Sequence, residues 1–199
     1  MTERQPDEHV KSSLEKGRDL MEDMLGDGAV LRSVEQFAET AAEVYRSRGK
    51  LLLFGNGGSA ADSVHIAAEF VGRFLSERQP LPALSLAANM SAVTAIGNDY
   101  GYEEIFARQV RALGNPGDIA IGLSTSGNSE NVSRGLAASA SAGLATVALT
   151  GANPGPVGDA ADQTVAIPSQ STPYIQMGHM AVGHLVCDWV EAELIAGRI

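Results

Sequence analysis

Two hydrophobic patterns follow one another along the chain, and the change between them falls near Lys50. Before it, Val10, Leu14, Met21, Met24 and Leu25 recur at helical spacing with Lys11, Glu15, Lys16 and Asp19 opposite, which predicts a helix over 8–25 ended by Gly26 and Gly28. A second stripe, Val30, Val34, Phe37, Ala41, Val44 and Tyr45, predicts another helix stopped near Gly49. Two amphipathic helices ahead of any strand need an apolar partner, either the sheet or another subunit. After Lys50, short and continuously apolar runs at 51–54, 84–86, 119–123, 145–149 and 164–167 read as strands. Helical patterns fit between and after them at 59–75, 91–96, 103–113, 129–142 and about 174–196. Buried strands separated by helices indicate an α/β fold: a five-stranded parallel sheet, doubly wound in the flavodoxin-like order 2-1-3-4-5. The expected organisation is one domain over 1–199, a helical pair at 1–48 leading into an α/β core at 49–199. Residues 151–163 and 169–173 are expected to be loops on the C-terminal side of the strands, where such sheets bind ligands.

Length and composition narrow the function. With 199 residues, 44% of them hydrophobic, the chain can bury one full core. Its net charge of −10 argues against general affinity for nucleic acid or an anionic membrane, so any phosphate site has to be local. Cys187 is the single cysteine; it permits no internal disulfide, supplies no paired thiolate site and suits a reducing cytoplasm. The polar N-terminus and the lack of any apolar run of about 18 residues predict no export signal and no membrane span.

The candidate chemistry starts at Gly55-Asn56-Gly57-Gly58-Ser59. Glycines between a strand and a helix let the backbone approach an anion at the helix N-terminus, with Ser59 read as the N-cap. No lysine follows, which excludes a Walker A loop. Gly55, Gly57 and Ala60 satisfy the dinucleotide fingerprint, but no carboxylate follows the next strand, as NAD binding requires. Farther along the helix, His65 and Glu69 share a face. After the third strand, Ser124-Thr125-Ser126-Gly127-Asn128-Ser129 offers neutral donors at a second helix start, and the 2-1-3-4-5 order sets both loops on one crevice. Gln176, His179 and His184 lie in the apolar last helix and need partners if buried. Gln176 and His184, eight residues apart, stand about 12 Å apart along a straight helix.

Taken with Gly97-Asn98-Asp99-Tyr100-Gly101, these motifs resemble the sedoheptulose 7-phosphate (phosphoheptose) isomerases of the sugar isomerase (SIS) superfamily over nearly the whole chain. The serine loop marks the superfamily; His65, Glu69, Gln176 and His184 narrow it to the heptose branch. The resemblance implies conversion of sedoheptulose 7-phosphate to D-glycero-D-manno-heptose 7-phosphate through an enediol, for ADP- or GDP-heptose biosynthesis. It implies substrate binding by Asn56, Gly57, Gly58, Ser59, Glu69, Asn98, Asp99, Ser124, Thr125, Ser126, Ser129 and Gln176. Catalysis falls to Glu69 and His184, and one zinc per subunit to His65, Glu69, Gln176 and His184. It further implies a cytoplasmic homotetramer with sites at subunit interfaces. Met177 departs from the acidic residue usual in the family. Two other readings share the fold and serine loop: a non-catalytic SIS regulator, which needs no ligand set, and an amino-sugar phosphate isomerase.

Overall fold

The computed structural model describes residues 6–199. Its sheet has the strand order β2-β1-β3-β4-β5, all parallel, with β1 Leu51–Gly55, β2 Ala83–Ser85, β3 Ile119–Ser124, β4 Ala145–Thr150 and β5 Gln163–Ala166. This is the predicted topology, and each strand lies within two residues of its expected bounds. Period-2 alternation then divides the apolar residues between two cores. Leu51, Leu53, Ile119, Ile121, Val147 and Leu149 face α1 (Pro6–Gly26), α2 (Gly28–Arg46), α3 (Gly58–Val71) and α8 (Thr172–Ile195). Leu52, Phe54, Ala120 and Ala148 face the opposite layer, which includes α5 (Ile105–Leu113), α6 (Glu130–Ser141) and α7 (Gly155–Asp159). A switch point between β1 and β3 follows, because the helices after these strands leave on opposite faces.

Several predicted details are corrected. The helix after β1 starts at Gly58, capped by Gly57, so Ser59 is not the N-cap; it lies buried inside the first turn against Gly55. That helix ends at Val71 rather than Leu75. The helix at 91–96 is longer, running as α4 from Met90 to Tyr100, so Asn98 and Asp99 sit in its last turn and not in a connecting loop. Within 151–163 the chain forms the short α7.

The leading helices divide their roles. α2 buries Phe37, Ala38, Ala41, Ala42, Val44 and Tyr45 against the sheet and α8. α1 buries Leu20 and Met24 but leaves Val10, Leu14 and Leu25 exposed, so most of its predicted stripe has no partner among the described residues. Leu25, Leu31, Leu185 and Trp189, all exposed, line an apolar groove between α1, α2 and α8. α4 has no buried residue at all. No helix among the described residues is long and apolar enough to cross a membrane.

Candidate active site

Both glycine- and serine-loop helices begin with main-chain N–H groups that no side chain caps. At α3, Gly57 takes the capping position with a φ of 54°, a conformation an L side chain rarely adopts. At α6, Ser129 stands at the cap with its hydroxyl turned to Ser124 (Oγ–Oγ 2.9 Å) and makes no capping bond. Ser126 is held in the turn, its Oγ accepting from the Asn128 N–H at 3.2 Å and its carbonyl from Asn128 Nδ2 at 3.0 Å. Two uncapped helix starts at adjacent strand ends offer free N–H groups that can receive an anion without lysine or arginine.

A polar lock joins the two loops. Asn56 Nδ2 donates to Asn131 Oδ1 (2.8 Å), Asn131 Nδ2 donates back to Asn56 Oδ1 (2.9 Å), and the Tyr102 hydroxyl donates to that same oxygen (2.9 Å). Asn56 therefore keeps one free amide hydrogen, with the amide held in a fixed orientation. Asn131 and Tyr102 were not expected from the sequence. The available signal was a polar Asn131 on the same helical face as Gly135 and Ala138, two residues after Ser129. Asn98 and Asp99 bond to each other (Nδ2–Oδ1 2.8 Å) on the exposed side of α4.

The last helix runs parallel to α3 in a constant register. Gln176 lies against Gly58, Gly183 against Ile66, and His184 against His65. A Cβ at Gly58 would collide with the Gln176 amide, so this glycine makes room for it. Ile175 packs against Gly151, itself beside the Thr125 carbonyl, which puts the start of α8 in the crevice between the two loops. Gln176 is thus kept two helical turns from the histidines: within one chain it does not join His65, Glu69 and His184. Met177 has its sulfur beside Gly17 of α1.

Those three residues do converge. His65 Nε2 lies 3.2 Å from Glu69 Oε1 and 3.2 Å from His184 Nε2, and one ligand atom from each residue falls within 4.8 Å of the others. Zinc bonds of about 2.0–2.1 Å in a tetrahedron separate neighbouring donors by about 3.3 Å, so both contacts have the length of a tetrahedral edge. Two imidazole nitrogens and a carboxylate, facing one another and accessible from outside, are a donor set that fits a divalent cation. One turn earlier on α3, Asp62 has a buried carboxylate oxygen with no partner, and burial pushes its carboxyl above the usual range while His65 pulls it down. His179 is no part of this group: fully buried, it donates from Nε2 to the Thr150 carbonyl at 3.1 Å. The Cys187 thiol is pushed up to about 12, chiefly by burial, and is inert.

A doubly wound sheet with a serine-lined anion site at its switch point defines an SIS-domain protein, and residues 14–151 match the SIS domain family. A phosphoheptose isomerase from Aneurinibacillus thermoaerophilus is 45% identical over 191 residues, covering 96% of each chain. Another, from Roseiflexus sp. (strain RS-1), is 54% identical over 157 residues, covering 79% of this chain and 80% of its own. The solved phosphoheptose isomerase from Neisseria gonorrhoeae superimposes with a TM-score of 0.88 at 35% identity, over 94% of this chain and 100% of its own. The chain belongs to the phosphoheptose isomerase family, and it is an aldose–ketose isomerase.

Proposed function

We propose that the substrate is sedoheptulose 7-phosphate, converted to D-glycero-D-manno-heptose 7-phosphate. The observation that carries the reading is the convergence of Glu69 with two histidines on helices that begin beside the glycine and serine loops. Neutral hydroxyls of Ser124, Thr125, Ser126 and Ser129, with the N–H groups opening α6, take the phosphate; Asn56, Gly57, Gly58, Asn98, Asp99 and Gln176 take the sugar hydroxyls. Ser59, its side chain buried, contributes only its main-chain N–H.

Isomerisation moves the carbonyl from C2 to C1. With Oε1 turned to His65, the Glu69 carboxylate keeps Oε2 to remove the C1 proton, giving an enediol, and then returns the proton at C2. His184 transfers protons between the oxygens at C1 and C2. A cation held by His65, Glu69 and His184 would polarise those oxygens, and zinc suits this nitrogen–oxygen set.

The working unit is read as one domain over 1–199 assembled into a homotetramer, acting in the cytoplasm. Its sites are shared between subunits. Gln176 stands too far along α8 to reach its own chain's cation, so as a fourth ligand it would come from a neighbour; otherwise it contacts the sugar. The unpartnered faces of α1, α4 and α8 supply apolar surface for such packing. Incubation of the purified protein with sedoheptulose 7-phosphate, followed by NMR for the aldose, tests the substrate. No turnover with or without added zinc would favour a non-catalytic sugar-phosphate sensor.

A further inference from the structure

Just behind the His65–Glu69–His184 cluster lies a buried ion pair that takes no part in it. Arg78, from the segment after α3, and Glu191, from α8, have side chains each 3% exposed, with Nε and Oε2 3.3 Å apart. The other Arg78 donors go to main-chain carbonyls: Nη2 to Glu69 at 2.7 Å, and Nη1 to Phe70 at 2.7 Å, Gln79 at 2.9 Å and Gly72 at 3.3 Å. Glu69 and Phe70 belong to the last turn of α3, whose carbonyls have no helical N–H to reach. Glu191 in turn accepts from the main-chain N–H groups of Phe74 (3.2 Å), Leu75 (3.0 Å) and Ser76 (2.6 Å). Residues 72–78 are thereby folded round one guanidinium and one carboxylate, which pin them to both helices of the cluster.

This fold has a direct contact with the site. Phe74, whose N–H is held by Glu191, lays its ring 5.3 Å from the His184 ring at 35°. His65 lies against the same imidazole, ring centres 5.3 Å apart. His184 is therefore held between Phe74 and His65, with Nε2 aimed at the latter. Stability alone does not call for such an ion pair, since its desolvation largely offsets its attraction and apolar side chains of similar size serve as well. Apolar side chains have no donors or acceptors with which to end α3 just after Glu69 and turn Phe74 back onto His184.

We propose that Arg78 and Glu191 are positioning residues for the isomerase, acting through the Glu69 carbonyl and through Phe74 to set the orientation of the Glu69 carboxylate and the His184 imidazole. The inference rests on reading the cluster as the active centre. Phe74 is only half-buried, so Phe74→Ala should fold. Loss of a group that orients ligands typically costs about 10- to 100-fold in metal affinity or activity. Phe74→Ala should therefore lower kcat about tenfold or more with KM within about twofold, and weaken cobalt(II) binding, followed by its visible spectrum, by about tenfold. Phe74→Tyr keeps the ring and should restore both to within about twofold, while Arg78→Lys and Glu191→Gln should lower both as Phe74→Ala does. If Arg78→Lys or Glu191→Gln fails to fold, the two Phe74 variants decide alone. A folded Phe74→Ala, Arg78→Lys or Glu191→Gln protein with parental kcat and cobalt(II) affinity would overturn the proposal, as would a Phe74→Tyr protein no better than Phe74→Ala. A parent protein that neither turns over nor binds cobalt(II) would overturn the reading of the cluster, and this inference with it.

Discussion

Gly58→Ala should separate stability from catalysis at the start of α3. The added Cβ would overlap the amide of Gln176, which is the far end of a flexible side chain rather than backbone. Gln176 can yield by leaving its preferred rotamer, at a cost of about 0.5–1.5 kcal/mol. Against this, alanine is favoured over glycine in a helix by up to about 1 kcal/mol. The two nearly cancel, and at about 2–4 °C per kcal/mol for a domain of this size the Tm should stay within about 3 °C of the parent. Catalysis has no such compensation. Moving Gln176 out of the crevice removes a neutral hydrogen bond, worth about 0.5–1.5 kcal/mol, which lowers kcat/KM roughly 2- to 12-fold. Gln176→Ala should lose the same factor, and the double variant should lose no more, because both changes remove one contact. Steady-state rates and thermal unfolding on the three variants check this. Parental kcat/KM in Gly58→Ala, or losses that multiply in the double variant, would show that the seat of Gln176 on Gly58 has no part in the site.

Other perturbations test separate parts of the account. Ser126→Ala should weaken sugar-phosphate binding with Tm unchanged; Ser124→Ala should weaken it too and also lose about 1 kcal/mol of stability, since Ser124 is buried and bonded to Ser129. Unchanged affinity in the double variant, measured by calorimetry, would remove the loop from the site. His179 gives stability a pH dependence of known sign. Burial pushes its imidazole from 6.5 down to about 4, against an upward pull from the Thr150 carbonyl, so between these values the unfolded chain binds more protons and stability rises with pH. A drop from pH 7.5 to 5 should cost about 2 kcal/mol in urea unfolding, and His179→Gln should remove that slope; an unchanged slope would assign it to other groups. For the shared site, an inactive Glu69→Gln protein and an inactive Ser124→Ala, Ser126→Ala protein should regain activity when their subunits are exchanged. Complete exchange without activity would place Glu69 and the serine loop in one chain.

What could be read from the sequence was whatever local pattern determines. The strands were legible because each is a continuous apolar run, and the sheet order followed from strands alternating with helices around the β1–β3 switch. Where α3 stops was not legible. The run Phe74-Leu75 continues its apolar pattern, but Arg78 and Glu191 claim the last carbonyls and the next three N–H groups from far along the chain. Ser59 was misread because serine is the stronger capping residue, whereas the turn needs the positive φ of Gly57 at that point. Helix α4 runs on through Gly97 to Tyr100, beyond the expected end at 96, and buries no residue that would mark its extent in the sequence. In the site, His65 and Glu69 were legible from their spacing on one helix. The separation of Gln176 from His184 along one helix was legible too; that Gln176 meets Gly58 while His184 meets His65 was not, since it depends on the parallel register of α8 against α3, which packing sets.

The central claim is that Glu69 carries a proton between C1 and C2 of a heptulose phosphate, and isomerisation in D2O tests it most directly. A carboxylate partly open to water exchanges its proton between removal and return. Heptose 7-phosphate formed by the parent protein from sedoheptulose 7-phosphate should therefore carry deuterium at C2, rising towards full labelling as the reaction is held at equilibrium. Glu69→Gln should form product at least about a hundredfold more slowly while keeping its fold. Product that retains only protium at C2 at equilibrium, or a Glu69→Gln protein that keeps most of its rate, would contradict the account.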